Sequence, residues 1–177
     1  MIKVFNTLTR NLESFRPLHA KKINFFVCGI TPYDYAHIGH AKTYVQFDII
    51  VKYLRSKKLN VFCLQNVTDI DDKIIARASE NKEKPSELAA RFEEAYHKDM
   101  GALGVDSVTM HAKATEYIPA IIKQVRKLVE KGNAYEIEDG IYFDLSTFPD
   151  YGKLSGRNVR GAEDAVSRID EGKGKKN

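Results

Sequence analysis

Over residues 25–48 the chain passes from an apolar strand pattern, through a short loop, into a helical pattern. No other stretch limits the fold so sharply. Ile23, Phe25, Phe26 and Val27 are β-branched or aromatic and nearly continuous, as in a strand buried on both faces. Cys28, Gly29 and Pro32 end that run. From Ala36 the period changes. Ala41, Tyr44, Val45, Asp48, Ile49, Lys52 and Tyr53 recur at helical spacing, with the bulky apolar groups on one side, which predicts a helix over about 37–55.

His37-Ile38-Gly39-His40 falls where that loop becomes the first helical turn. A helix N-terminus offers free N–H groups and a partial positive charge, so it attracts phosphate. Gly39 lets a ligand approach the backbone. His37 and His40 are three apart and share a helix face. Two imidazole donors there can hold the phosphates of ATP and stabilise charge as pyrophosphate leaves. Two histidines at this spacing can also be an accident of an amphipathic helix. Their place after a buried strand favours the functional reading, because a nucleotide-binding βα unit requires that context.

The rest of the chain extends the unit. Residues before Lys22 read as an extended lead-in. Ser56-Lys57-Lys58 is a basic turn, and residues 60–65 form a second buried strand, giving a right-handed βαβ crossover. Asn66-Val67-Thr68 follows that strand, so it shares the carboxyl edge of the sheet with Cys28, where open α/β sheets bind ligands. Asp69, Asp71 and Asp72 could suggest Mg²⁺, but capping of the next helix, over 73–79, is the better reading. Further helices are expected from Pro85 to about Met100, broken by Gly101 and Gly104, and over 115–131. Asp139-Gly140 between two short apolar runs signals a hairpin. After Ser155 the chain turns polar.

At 177 residues the chain can bury a core. A net charge of +4 permits an anionic partner without demanding one. No apolar run reaches membrane-spanning length and no signal-peptide pattern opens the chain, so no membrane partner is expected. Two cysteines, Cys28 and Cys63, make no disulfide framework, consistent with a cytoplasmic protein carrying reduced thiols.

The run from Cys28 to His40 resembles the signature of class I aminoacyl-tRNA synthetases, in the form found in the cysteine-specific members. Other motifs agree in order and spacing: Phe5-Asn6-Thr7-Leu8-Thr9, Asn66-Val67-Thr68-Asp69-Ile70-Asp71-Asp72-Lys73, and Tyr142-Phe143-Asp144 through Asp150-Tyr151-Gly152-Lys153-Leu154-Ser155-Gly156-Arg157. The resemblance covers residues 5–157. It implies an α/β fold, the first half of a Rossmann-like class I nucleotide-binding domain with a parallel sheet and flanking helices. Part of an α+β connective-polypeptide insertion would follow. The corresponding domains are 1–100 for the catalytic half, 101–160 for the insertion with its helix and hairpin, and 161–177 for a flexible polar tail.

The resemblance also implies roles. His37 and His40 would be catalytic. Gly29, Ile30, Thr31, Gly39, Thr43, Asn66, Val67 and Thr68 would border ATP and the adenylate. Cys28 would ligate Zn²⁺, a metal that prefers thiolates and could bind the substrate thiol while rejecting serine. Bland readings stand beside these: Cys28 as a small hydrophobe, Thr31 as a turn residue, Thr68 as a helix cap. His97 and His111 lie far from the motif in sequence and read as surface residues. Tyr117 departs from the family, which commonly has histidine after this Thr-Glu pair.

The implied activity is cysteine–tRNA ligation, with ATP and Mg²⁺, L-cysteine and tRNA(Cys) as partners. The family's remaining zinc ligands, its Lys-Met-Ser-Lys-Ser loop and its anticodon-reading domain are absent from these residues. A fragment, a truncated product and a split enzyme that needs a complementary C-terminal half all remain open. Two alternatives stand beside the ligase: a cysteine ligase acting on an amino sugar, as in mycothiol synthesis, and a non-catalytic module that binds nucleotide or a partner.

Overall fold

The computed structural model describes residues 2–156, so the expected polar tail over 161–177 and Arg157 of the last motif lie outside the described residues. Contacts divide the chain into two compact units, one of Pro17–Ile118 and one that joins Met1–Arg16 to the residues from Pro119 onward.

The Pro17–Ile118 unit is built on a three-stranded parallel sheet in the order β3-β4-β5. Its strands are β3 (Lys22–Ile30), β4 (Asn60–Val67) and β5 (Met110–Lys113). Helix α1 (Ile38–Ser56) makes the β3–β4 crossover, and α2 (Asp72–Asn81) and α3 (Pro85–Ala102) lie between β4 and β5. The expected βαβ unit is therefore present. β5 was not legible in advance. It pairs Leu64 with Met110, Gln65 with His111 and Val67 with Lys113, so residues beyond 100 complete this sheet.

The sheet is buried on one face only, which corrects the two-faced reading of β3. Ile23, Val27, Val61, Cys63, Gln65 and Val67 are buried, whereas Phe26 is 61% exposed and Phe62 and Met110 are also open. Alternation in β4 is the cause: odd positions meet α1 and even positions face away. Helix α1 is likewise rotated from the expected stripe. It buries Tyr44, Asp48, Val51 and Leu54, while Ile49 and Tyr53 are exposed.

Asp48 explains how a carboxylate can sit in that face. It accepts hydrogen bonds from the N–H groups of Asp106 and Ser107 at 3.0 and 2.9 Å and pairs with Lys52 at 2.7 Å. Lys52 also reaches Asp106 and the Gly104 carbonyl. These contacts hold the loop before β5 against α1. Burial alone would raise the Asp48 pKa, but the bonds from Lys52, Ser107 and Asp106 outweigh it and hold the carboxyl below its ordinary value.

Local signals placed the helix ends well. Asp71 caps α2 by accepting from Lys73 N–H at 2.9 Å, so the cap is Asp71 and not Thr68. Pro85 opens α3 and Gly104 follows it at φ +74°, but Gly101 lies inside the helix.

In the other unit, β1 (Lys3–Asn6) and β2 (Asn11–Ser14) form an antiparallel hairpin where an extended lead-in was expected. Its turn carries Arg10 at φ 57°, a position that usually advertises itself with glycine. Of the helix expected over 115–131, the start is a 3₁₀ turn, Ala114–Tyr117, that ends the Pro17–Ile118 unit, and the remainder is α4 (Ile118–Glu130). The second hairpin pairs β6 (Ala134–Ile137) with β7 (Gly140–Phe143). Gly140 enters the strand opposite Ile137, leaving Glu138 and Asp139 as the turn residues.

Candidate active site at the carboxyl edge of the sheet

The carboxyl ends of β3 and β4 and the start of α1 meet at one place. Between Val27 and Ile30 the register of β3 against β4 shifts, and the strands come very close. A Cβ on Gly29 would lie 1.7 Å from the Asn66 carbonyl oxygen and 2.9 Å from Gln65 Cγ. Only glycine fits. The Gly29 N–H donates to Asn66 Oδ1 at 2.8 Å, and Thr68 N–H donates to the Ile30 carbonyl at 2.8 Å. Asn66 Nδ2 reaches Thr68 Oγ1 at 3.2 Å. Gly29, Ile30, Asn66, Val67 and Thr68 are thus brought together. Ile30 and Val67 are buried, so their side chains serve packing and only their backbones border the edge. The Thr31 carbonyl accepts from Tyr33 N–H at 2.9 Å and turns the chain toward α1.

The first turn of α1 is capped by the two histidines themselves. His37 Nδ1 accepts the Gly39 N–H at 3.0 Å, and His40 Nδ1 accepts the His37 N–H at 3.2 Å. This is a capping box with imidazoles in the places of hydroxyl and carboxylate. A neutral imidazole that accepts at Nδ1 carries its proton on Nε2. Both rings therefore present an Nε2–H donor beside the helix N-terminus, 4.1 Å apart by centroid. A Cβ on Gly39 would strike His37 Cε1 at 2.7 Å, so glycine keeps that ring in its capping position. Thr43 Oγ1 donates to the Gly39 carbonyl at 3.0 Å, one turn along the same face. Burial, and then the neighbouring His37, hold His40 below the usual histidine pKa of 6.5, which favours the neutral donor.

Cys28 has an exposed thiol at the end of β3, whereas Cys63 is buried in β4. Among the described residues no group of three or more His, Cys, Asp or Glu side chains could hold a metal ion. One thiol is a single donor, and a tetrahedral zinc site needs about three from protein with substrate as the fourth. The described residues alone do not fit a zinc ion, and no chemical step is routed through one here.

A second constellation lies against the first and had no signal in the sequence. Gln65 and His111 are register partners on the helix-covered face of the sheet. Tyr96 of α3 donates its hydroxyl to Gln65 Oε1 at 2.9 Å and meets Tyr44 of α1 edge-on at 5.4 Å. Tyr44 in turn lies nearly parallel to His40, at 6.4 Å and 11°. His97 stands edge-to-face with His111 at 4.6 Å. Glu93 is buried, pairs with Lys113 at 2.7 Å and approaches His97 at 3.7 Å. His97 is exposed, as expected, whereas the expectation that His111 is a remote surface residue is corrected. β5 brings His111 in, half-buried, and burial followed by His97 lowers its pKa against the opposing pull of Glu93. Burial and then the nearby Cys28 push the Tyr44 hydroxyl up to about 12, and burial raises Tyr96 further.

A parallel sheet with a phosphate-attracting helix start at its carboxyl edge is a nucleotide-binding architecture. Solved structures narrow it. The chain is similar to methionyl-tRNA synthetase of Mycobacterium tuberculosis, solved with methionyl-adenylate, at a TM-score of 0.58 and 22% identity over 63% of this chain and 23% of that one. That likeness is one of fold. Residues 14–177 match the family model of the class I (C) tRNA synthetase catalytic domain, and the chain belongs to that family. It is 49% identical over its whole length to a cysteine–tRNA ligase of Pyrococcus furiosus and 48% identical to one of Methanococcus maripaludis. In both comparisons it spans 37% of the relative's length.

Proposed function

We propose that this chain is the nucleotide-binding part of a cysteine–tRNA ligase. The observation that carries the reading is the imidazole capping box, which leaves two Nε2–H donors at a helix N-terminus beside the Gly29–Asn66 crossing. The cysteine carboxylate attacks the α-phosphorus of ATP, held with Mg²⁺, and pyrophosphate leaves as cysteinyl-adenylate forms. The terminal hydroxyl of tRNA(Cys) then attacks the activated carbonyl and AMP departs. His37 and His40 donate to phosphate oxygens as negative charge builds, and the N–H groups of the first turn add to that field. The backbones of Gly29 and Ile30, together with Thr31, Asn66 and Thr68, line the adenylate. Thr43 supports the Gly39 turn. No protein nucleophile is needed, because positioning and charge stabilisation supply the rate.

Cys28 sits where a thiolate ligand for Zn²⁺ would select the cysteine side chain, and the other ligands would have to come from outside the described residues. The cytoplasm is the compartment this chemistry implies.

Cysteine-dependent ATP–pyrophosphate exchange tests the reading. It would be measured for the chain alone and with the C-terminal part of a relative supplied in trans, using serine as control. Exchange with cysteine and not serine in either arm supports a ligase. Nucleotide binding without exchange in both arms would instead favour a binding module.

A further inference from the structure

We propose that Tyr44 is a positioning residue for His40, and that Tyr96 and Gln65 anchor Tyr44 to the sheet. The inference rests on the reading of His37 and His40 as phosphate donors. A donor is useful only if its N–H points at the developing charge, and small misplacements cost heavily. The cap bond from the His37 N–H fixes one edge of the His40 ring at Nδ1 but leaves rotation about that bond. Something must set the ring plane.

Tyr44 is placed to do so. It is four residues after His40, so the two side chains are neighbours on one helix face. Its ring is nearly parallel to the imidazole, at 11° and 6.4 Å, within the range where aromatic pairs interact. Tyr44 is itself held. Only 5% of it is exposed, and the Tyr96 ring meets it at 78° and 5.4 Å. Tyr96 has no freedom to yield, because it is buried and its hydroxyl is bonded to Gln65 Oε1. Gln65 is 2% exposed and lies in the central strand, between Val27 and His111. The series His40, Tyr44, Tyr96, Gln65 thus runs from the site to the middle of the sheet through α1 and α3. Each link restricts the next.

The test reads the imidazole of His40 directly by long-range ¹H–¹⁵N correlation spectra of the chain without nucleotide, above pH 7. The measurement is therefore independent of whether the chain activates cysteine. In the wild type, Nδ1 of His40 gives the acceptor signal and Nε2 the protonated one. Tyr44→Phe keeps the ring and leaves both signals in place. Tyr44→Met fills a similar volume without a ring, and the two nitrogen signals move toward each other as the tautomers mix. Tyr96→Phe removes only the hydroxyl that holds Gln65. It moves the His40 signals in the same direction by a smaller amount, and it covers the case in which Tyr44→Met does not fold. Exposed His19 stays constant in every variant. The proposal is overturned if His40 keeps its wild-type signals in a folded Tyr44→Met chain and in Tyr96→Phe. It is equally overturned if Tyr44→Phe disturbs His40 as much as Tyr44→Met does.

Discussion

Replacing Gly29 with alanine tests the geometry of the site at its tightest point. The new methyl would start 1.7 Å from the Asn66 carbonyl oxygen and 2.8 Å from the Asn66 carbonyl carbon. Both are backbone atoms of the neighbouring strand, so no side-chain rotation can relieve the clash. β3 and β4 must separate locally by more than an ångström. That opens the Gly29 N–H bond to Asn66 Oδ1 and strains the adjoining bond from Thr68 N–H to the Ile30 carbonyl. Overpacking costs about 1–3 kcal/mol, and one lost partly buried hydrogen bond adds about 1 kcal/mol. The expected loss is about 3 kcal/mol, or roughly 10–20 °C in Tm for a unit of this size. Gly101→Ala is the control. A Cβ there meets nothing within 4 Å and the residue is helical, so the same substitution should gain up to about 0.5–1 kcal/mol. Urea unfolding followed by far-ultraviolet circular dichroism measures both, and the slope with urea should stay unchanged. A loss below about 0.5 kcal/mol for Gly29→Ala would refute the close-approach argument. So would equal losses for the two variants.

Four further outcomes are expected. Gly39→Ala pushes the His37 ring off the Gly39 N–H, costing about 1 kcal/mol of cap stability and raising the KM for ATP in the exchange assay roughly tenfold, about 1.4 kcal/mol; an unchanged KM would count against the capping-box donors. His40 is held below 6.5 in the folded chain, so its contribution is complete above that value and is lost as pH falls through the lower folded pKa; stability of the wild type should fall more steeply below pH 6.5 than that of His40→Gln, and parallel curves would sink the idea. Asp48→Asn leaves two backbone donors without a charged acceptor and Lys52 with Asp106 in place of two carboxylates, for a loss of about 2 kcal/mol in urea unfolding, and a neutral result would show that the 104–107 loop is held by other means. With the C-terminal part of a relative added, Cys28→Ala should lose bound zinc by elemental analysis while Cys63→Ala keeps it, and zinc retained without Cys28 would remove that residue from the ligand set.

Much of the site was legible because its devices are local. The switch from period 2 to period 3.6, Gly29 and Pro32 at the strand end, and the His37–His40 spacing all act within a turn or two of chain. They gave the βα unit and the carboxyl-edge placement of Asn66-Val67-Thr68 directly. β5 carries no local signal, because Met110-His111-Ala112-Lys113 has no β-branched residue and no alternation. It is a strand because β4 offers it a free edge and Thr109 N–H reaches the Cys63 carbonyl at 2.8 Å. The β1–β2 hairpin lacks a local signal for a related reason. Arg10 occupies a left-handed position that sequence signals reserve for glycine, and Asn6 supports the turn by accepting Leu8 N–H at 3.0 Å.

The sequence by itself therefore determined the class of fold and the phosphate-attracting helix start, since capping, backbone freedom and hydrophobic period are properties of neighbouring residues. It also determined the family, through motifs in a fixed order. Only the tertiary structure decided which face of α1 is buried, that Gly29 is needed for a strand crossing, and that Tyr44, Tyr96, Gln65 and His111 gather behind His37 and His40. Those residues lie between 15 and 67 positions apart in the chain, and no local preference brings them together. Strand pairing and the burial of α3 against the sheet do, because a buried tyrosine hydroxyl must find an acceptor and the nearest one is on the central strand.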